Sequence, residues 1–272
     1  MHAGLASTNH ESDMKIKHSI TAMGHHKAKH TTAERDLVGG FCAAFERSIV
    51  PPPQRLQNFP RHVRRQDIAR FLTKYELFKL ALPCHGSIVE CGVFAGGGLL
   101  GWMHFSSILE PYNHTRRVIG FDTFDGFPDV HEKDTLTGTS DHLHKHAFSI
   151  GSAIQEEIAT LAGLHNQNRP LGHIPKVELV AGDACRTIPS YVKKHPHLLV
   201  SLLYLDFDIY APTKAAIRHF YPRMPKGSVV AFDELNCPEF PGETTALLES
   251  LDLRQVELRR LPMDPHISYF IK

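Results

Sequence analysis

The chain has 272 residues, enough for one large α/β domain, and its 30 Lys and Arg against 29 Asp and Glu leave a formal net charge of +1, which excludes the broad positive field used by nucleic-acid binders. No apolar run approaches the roughly 18 to 20 residues of a membrane span, and the first residues lack a secretory apolar stretch. Five widely spaced cysteines without C-x-x-C indicate neither a disulfide framework nor a zinc cluster, so a soluble, cytoplasmic protein with a small-molecule partner is expected.

Residues 1–32 are polar, rich in His and Lys and without a sustained period, and they read as a loosely docked arm. From Ala33 to Val50 apolar groups recur at helical intervals until Pro51-Pro52-Pro53 stops the helix, so residues 1–50 are expected to extend a domain spanning 51–272. A second helical pattern, RRQDIARFLTKYELFKLAL, places Ile68, Phe71, Leu72, Tyr75 and Phe78 on one face and ends at Pro83 and Gly86.

After Gly86 strand and helix alternate as a doubly wound sheet requires. SIVECGV is a first strand with GGLLGWMHFSSIL as the helix behind it, and RRVIGFDTF and KVELVAGDA are the second and third. HLLVSLLYLDFD, almost wholly apolar, suits a central parallel strand covered on both faces. TKAAIRHFYPRM is a helix, GSVVAFDEL a fifth strand and GETTALLESL another helix, and QVELRRL and HISYFIK around PMDP form a hairpin. The predicted class is therefore α/β, a doubly wound, mostly parallel seven-stranded sheet with an antiparallel C-terminal hairpin. Pro128 to Pro175 breaks the rhythm, with a helix expected over Ala153 to Leu164, and its place after the second strand makes it a lid insertion.

Ligands of open parallel sheets sit outside the carboxyl ends of the strands, and Glu90, Asp122, Asp183, Asp206, Asp208, Asp233 and Glu234 fall at or near such ends. The turn ECGVFAGGG carries Gly92 and Gly96 but is not G-x-G-x-x-G. A pyrophosphate would be repelled by Glu90, whereas the sulfonium and ammonium of S-adenosylmethionine are cationic, so the acid favours that cofactor over NAD. The plainer alternative is close helix–strand packing at the glycines, with Glu90 paired to an arginine. Asp122, followed by Thr123, closes the second strand where a carboxylate accepts ribose hydroxyls. Asp183 either meets the adenine amino group or caps a loop.

Asp206 and Asp208 share a face if their strand persists, and Asp233 with Glu234 end the adjacent one. Four converging carboxylates repel unless a cation sits among them, and hard oxygen ligands suit magnesium, calcium or manganese. The alternative is that Asp206 or Asp208 caps the helix beginning at Ala-Pro-Thr. His142, His144 and His146, and His25-His26 with His30, lie in polar loops without an acidic partner and are assigned no metal.

VECGVFAGG, GFDTFDGFP, YLDFDIYAPTKAAI, FYPRMPKGSVVAFDE and the closing YFIK together resemble the macrocin O-methyltransferase family, S-adenosylmethionine-dependent sugar O-methyltransferases of class I. The resemblance covers roughly Ser87 to the C-terminus apart from the insertion. It implies a Rossmann-like fold, S-adenosylmethionine near Glu90, Gly92, Gly96, Asp122, Thr123 and Asp183, and magnesium or another divalent cation on Asp208, Asp233 and Glu234. It further implies Asp206 as general base and a hydroxyl of a sugar or glycosylated natural product as acceptor. The family's Asp-Asp reads Asp233-Glu234 here and its D-G-D reads D-F-D, and the roles of Asp206 and Asp208 are open to exchange. Assembly into a homo-oligomer through the N-terminal helices is a further expectation, as is Arg64 or Arg65 reaching the cofactor carboxylate. The rival readings are an NAD-dependent oxidoreductase and a methyltransferase-like binding protein without turnover.

Overall fold

Seven strands, β1 (Ser87–Cys91), β2 (Val118–Asp122), β3 (Val177–Ala181), β4 (Val200–Leu205), β5 (Val229–Phe232), β6 (Arg259–Arg260) and β7 (Ser268–Ile271), form one sheet in the order 3-2-1-4-5-7-6. The computed structural model describes residues 31–136, 139–151 and 153–272, so the arm before Thr31 and its His25, His26 and His30 lie outside the described residues. β1 to β5 are parallel, while β7 runs antiparallel to both β5 and β6, which is the expected hairpin.

Eight helices are described: α1 (Thr32–Glu46), α2 (Pro52–Gln57), α3 (Arg65–Ala81), α4 (Gly97–Leu109), α5 (Ala153–Gln167), α6 (Ala184–Lys194), α7 (Tyr210–Phe220) and α8 (Gly242–Ser250). Among the described residues none is long and apolar enough to cross a membrane. The chain divides into two units, Met1–Ile68 and Ala69–Lys272, the second beginning inside α3. In the first, the proline run that ends one helix also opens the next, since Pro52 sits in the first turn of α2 where its missing N–H costs nothing. Arg55 ties the two helices, donating from Nη1 to the Phe45 carbonyl at 2.8 Å with its guanidinium 4.9 Å from the Phe45 ring centre.

In the second unit alternate residues of each strand serve opposite faces. Val89, Phe121, Leu203 and Phe232 pack with Ile188 of α6 and Ile217 and Phe220 of α7. Ile88, Leu202, Tyr204 and Ala231 pack with Leu77 and Phe78 of α3 and with Leu99, Trp102 and Phe105 of α4. β1 and β4 are buried along their whole length, which is why their sequences are continuous apolar runs.

Three expectations need correction. β4 stops at Leu205 and Asp208 adopts a left-handed backbone, φ 62°, so the two-residue alternation that was to align Asp206 with Asp208 does not apply. Helix α6 has no counterpart in the sequence reading, because Pro189 in its interior hides an otherwise amphipathic run. On α3 the buried residues are Thr73, Lys74, Leu77, Phe78 and Ala81, whereas Phe71 and Leu72 are largely exposed. A lysine takes a core position there because a carboxylate waits for it. The insertion is folded: α5 buries Ile158 and Ala162 and runs three residues past the expected Leu164.

Phe220 has no exposed surface and joins α7 to the sheet. Phe220→Ala is expected to lower the unfolding free energy by about 3–5 kcal/mol in urea titrations; a loss under about 1 kcal/mol would contradict this packing.

Candidate active site

The turn from β1 into α4 is fixed by backbone geometry. Gly92 has φ +91°, and a Cβ there would lie 1.8 Å from the Asp206 carbonyl oxygen, so only glycine lets the ends of β1 and β4 approach. Gly96, φ +83°, precedes α4 as its N-cap, and a Cβ there would meet Ile158 Cγ1 of α5 at 2.7 Å. The insertion thus lies directly on the glycine turn. Asp122, at the end of β2, steadies that turn: Oδ2 accepts from the Val93 and Phe94 amides at 2.7 and 2.9 Å, and Oδ1 accepts from Phe124 N at 2.7 Å. Thr123 Oγ1 donates to the Gly126 carbonyl at 2.5 Å. Asp183 is the N-cap of α6, accepting from Cys185 N at 2.9 Å, which is the capping alternative of the two read from sequence. Gly182 N donates to the Asp122 carbonyl at 2.8 Å and keeps Asp183 on the same rim.

Glu90 lies below the turn, 1 % exposed, with Oε1 2.9 Å from Lys74 Nζ. Gly98 makes room for the pair, since a Cβ there would stand 2.0 Å from Oε1 and 2.3 Å from Nζ. Burial pushes the Glu90 carboxyl above its ordinary pKa while the Lys74 ammonium pulls it down. Glu90 is therefore paired inside the protein, with a lysine where an arginine was the alternative. Its Oε2 has no hydrogen-bond partner. The same ammonium lies 4.0 Å from the centre of the Tyr204 ring.

One turn earlier on α3, Arg70 Nη1 reaches Asp233 Oδ2 at 2.8 Å and Nε reaches Asp264 at 3.3 Å. Tyr204 Oη donates to the other Asp233 oxygen at 2.5 Å. Burial disfavours the Asp233 charge, but Arg70 and Tyr204 outweigh it and hold the pKa below the usual carboxylate value. Arg64 pairs with Asp67 at 2.6 Å.

Asp206, Asp208, Glu234 and Glu243 form no ion pair among the described residues. Burial raises the Asp206 carboxyl well above its ordinary value, with the Asp233 charge next, and Asp208 likewise, with Glu234 next. Burial and then Asp233 push Glu234 up to about 7. Glu243 is raised by burial and then by Asp206. It was not among the sequence candidates, because its place in the first turn of GETTALLES reads as ordinary helix. It is fully buried, and its Oε2 accepts from Glu234 N at 3.2 Å. The only hint in the sequence is an acid at the start of an otherwise apolar helix face.

Among the described residues no three His, Cys, Asp or Glu side chains stand as a ready metal cage, and Asp233 has both oxygens engaged. The donor chemistry nevertheless fits a hard divalent cation, since Glu234 Oε2 and Glu243 Oε1 are buried without hydrogen-bond partners amid carboxylates of raised pKa. Of the alternating histidines, His146 pairs with Asp125 at 3.1 Å.

Strand order 3-2-1-4-5-7-6 with an antiparallel β7, and a glycine turn after β1, define the class I methyltransferase fold. The profile of the family described as Macrocin-O-methyltransferase (TylF) matches residues 80–246, and the chain belongs to that family. It is 24% identical over 159 residues to mycinamicin III 3''-O-methyltransferase of Micromonospora griseorubida, covering 56% of each chain. It is 26% identical over 152 residues to 8-demethyl-8-(2,3-dimethoxy-alpha-L-rhamnosyl)-tetracenomycin-C 4'-O-methyltransferase of Streptomyces olivaceus, 55% of this chain and 52% of that one. The chain thus spans about half the length of these curated relatives. The crystal structure of CalS11, a calicheamicin methyltransferase, matches with a TM-score of 0.85 at 32% identity over 89% of this chain and 93% of that one. Apo CalS11, described as a TDP-rhamnose 3'-O-methyltransferase of calicheamicin biosynthesis, matches at 0.78 and 29% over 89% and 95%.

The Lys74–Glu90 pair generates a direct test. Lys74→Met strands a buried carboxylate and is expected to cost about 3–5 kcal/mol of stability in urea unfolding, with much of that loss recovered when Glu90→Gln is added. Equal stability of Lys74→Met and the parent would refute the pairing.

Proposed function

We propose that this protein transfers a methyl group from S-adenosylmethionine to a hydroxyl of a sugar, carried on a nucleotide or on a glycosylated natural product, with a divalent cation assisting. The observation that carries it is a group of carboxylates beside the glycine turn, Glu234 and Glu243 buried and Asp206 and Asp208 half-buried, that form no ion pair among the described residues, in a chain of this family. The acceptor class is supported by two of the relatives, whose names place the methyl group on rhamnose hydroxyls.

S-adenosylmethionine, when bound, supplies a methyl carbon activated by the sulfonium. Gly92 and Gly96 would form its cradle, Asp122 and Thr123 would serve the ribose, Asp183 the adenine side, and Glu90, its charge balanced by Lys74, would support the cradle from beneath the turn. A divalent cation, when bound, would lower the cost of deprotonating an alcohol. Asp208 and Glu234 would hold it, and Asp233 would join by sharing oxygens now given to Arg70 and Tyr204. Asp206 would accept the hydroxyl proton. Burial, and then the Asp233 charge, raise its carboxyl above the ordinary value, which makes it a stronger base than an exposed aspartate. The remaining task is alignment: α5, packed on Gly96, would exclude water and hold the acceptor oxygen in line with the methyl carbon.

Two measurements test this reading. S-adenosylhomocysteine should bind in a calorimeter, and labelled methyl should pass from S-adenosylmethionine to TDP-rhamnose or a rhamnosylated acceptor. Asp206→Asn should lower kcat by about 10²–10⁴-fold with cofactor affinity within about twofold. Failure to bind cofactor would overturn the reading, and turnover indifferent to a chelator would remove the cation alone.

A further inference from the structure

The insertion supplies a buried side chain to the far side of the site. Asp134 is a fully buried carboxylate with no ion pair among the described residues. Its Oδ2 accepts from His131 N at 2.9 Å and closes a turn within the insertion, and its Oδ1 accepts from Tyr210 N at 2.8 Å. Tyr210 is the first residue of α7, a helix whose own N-cap, Ile209, has no side chain able to cap it. An acceptor that α7 cannot supply locally therefore arrives from a segment 76 positions away in the chain. A negative group there also suits the helix dipole.

The same oxygen meets α8. A Cβ on Gly242, the first residue of that helix, would lie 2.1 Å from Asp134 Oδ1 and 2.5 Å from Tyr210 N, so the starts of two helices and the insertion converge with no room for a methyl group. Each start is next to an acid of the site. Asp208 precedes Tyr210 by two residues in a left-handed backbone, a conformation that costs a non-glycine residue energy and persists only where the surroundings enforce it. Glu243 follows Gly242 and holds Glu234 N. Outside this joint a second, exposed tether links the same parts: Lys133 contacts Tyr210 Oη at 3.1 Å and pairs with Glu249.

We propose that Asp134 is a positioning residue through which the insertion sets the placement of Asp208, and with it the acceptor side of the site. The proposal rests on the methyl-transfer reading above. It predicts that loss of the Oδ1 acceptor impairs turnover without disturbing the cofactor cradle, which is built on the other side of β4 by Gly92, Gly96 and Asp122.

The test uses the full chain as wild type, Asp134→Ala, Asp134→Asn and Lys133→Met, with labelled S-adenosylmethionine and TDP-rhamnose for turnover, S-adenosylhomocysteine for calorimetry, and amide hydrogen exchange over residues 205–215. Asp134→Ala is expected to lower kcat about tenfold to a hundredfold, the scale of a small misplacement at a reacting centre, with S-adenosylhomocysteine affinity within about twofold. Exchange at the start of α7 should rise. Asp134→Asn keeps an Oδ1 acceptor and should regain most of both losses, while Lys133→Met should keep kcat within about twofold. If Asp134→Ala retains wild-type kcat, loses cofactor affinity in proportion to kcat, or is not rescued by Asp134→Asn, the proposal is overturned. An equal loss in Lys133→Met would assign the effect to general loosening of the insertion and overturn it as well. Should the wild type itself transfer no methyl group, the functional reading fails on its own, and unchanged exchange at α7 in Asp134→Ala would then reject the capping claim independently.

Discussion

Two cations one helical turn apart govern the architecture of the site. Arg70 and Lys74 project from α3 onto the two strands that flank β4 and neutralise Asp233 at the end of β5 and Glu90 on β1. A carboxylate buried at 1 % exposure gains from such a partner, and each pair is bounded by a residue that could scarcely be replaced: Gly98 beside Glu90, Tyr204 beside Asp233. Four further acids form no ion pair among the described residues. Asp206, Asp208, Glu234 and Glu243 remain at the same rim with burial and mutual repulsion pushing every one of them toward its neutral form. Under the proposed function, positive charge from outside the chain, a sulfonium donor and a divalent cation, would relieve that excess.

The paired acids and the unpaired ones therefore do different work. Glu90 and Asp233 tie α3 to the sheet and fix the shape of the rim, whereas Glu234 and Glu243 each keep a buried oxygen without a hydrogen-bond partner. Asp122 has no cationic partner among the described residues but spends one oxygen on the Val93 and Phe94 amides and the other on Phe124 N, and so shapes the turn that a nucleoside would rest on. The insertion enters this arrangement twice, with Ile158 seated on Gly96 at one side and Asp134 at the start of α7 on the other.

The strands and most of the acids could be read directly from sequence, because central parallel strands are apolar runs and ligand chemistry collects at their carboxyl ends. Glu90, Asp122, Asp206, Asp208, Asp233 and Glu234 were found that way. The partners were not. Lys74 and Arg70 look like solvated residues on α3, and their burial depends on carboxylates more than ten positions away, which periodicity does not register. Glu243 and Asp134 escaped for the same reason: a helix-start acid and a loop acid acquire meaning only when tertiary contacts bring Glu234 N and Tyr210 N to them. Helix α6 was hidden by Pro189, and the turn at Asp208 by the assumption that β4 continues.

The excess of unpaired acid is tested most directly by titrating manganese or magnesium into the full chain in a calorimeter, alongside Asp208→Asn and Glu234→Gln. One-site binding in the wild type that is weakened in both variants is the expected result. A wild type that takes up neither ion, or variants that bind as tightly as the wild type, would contradict it.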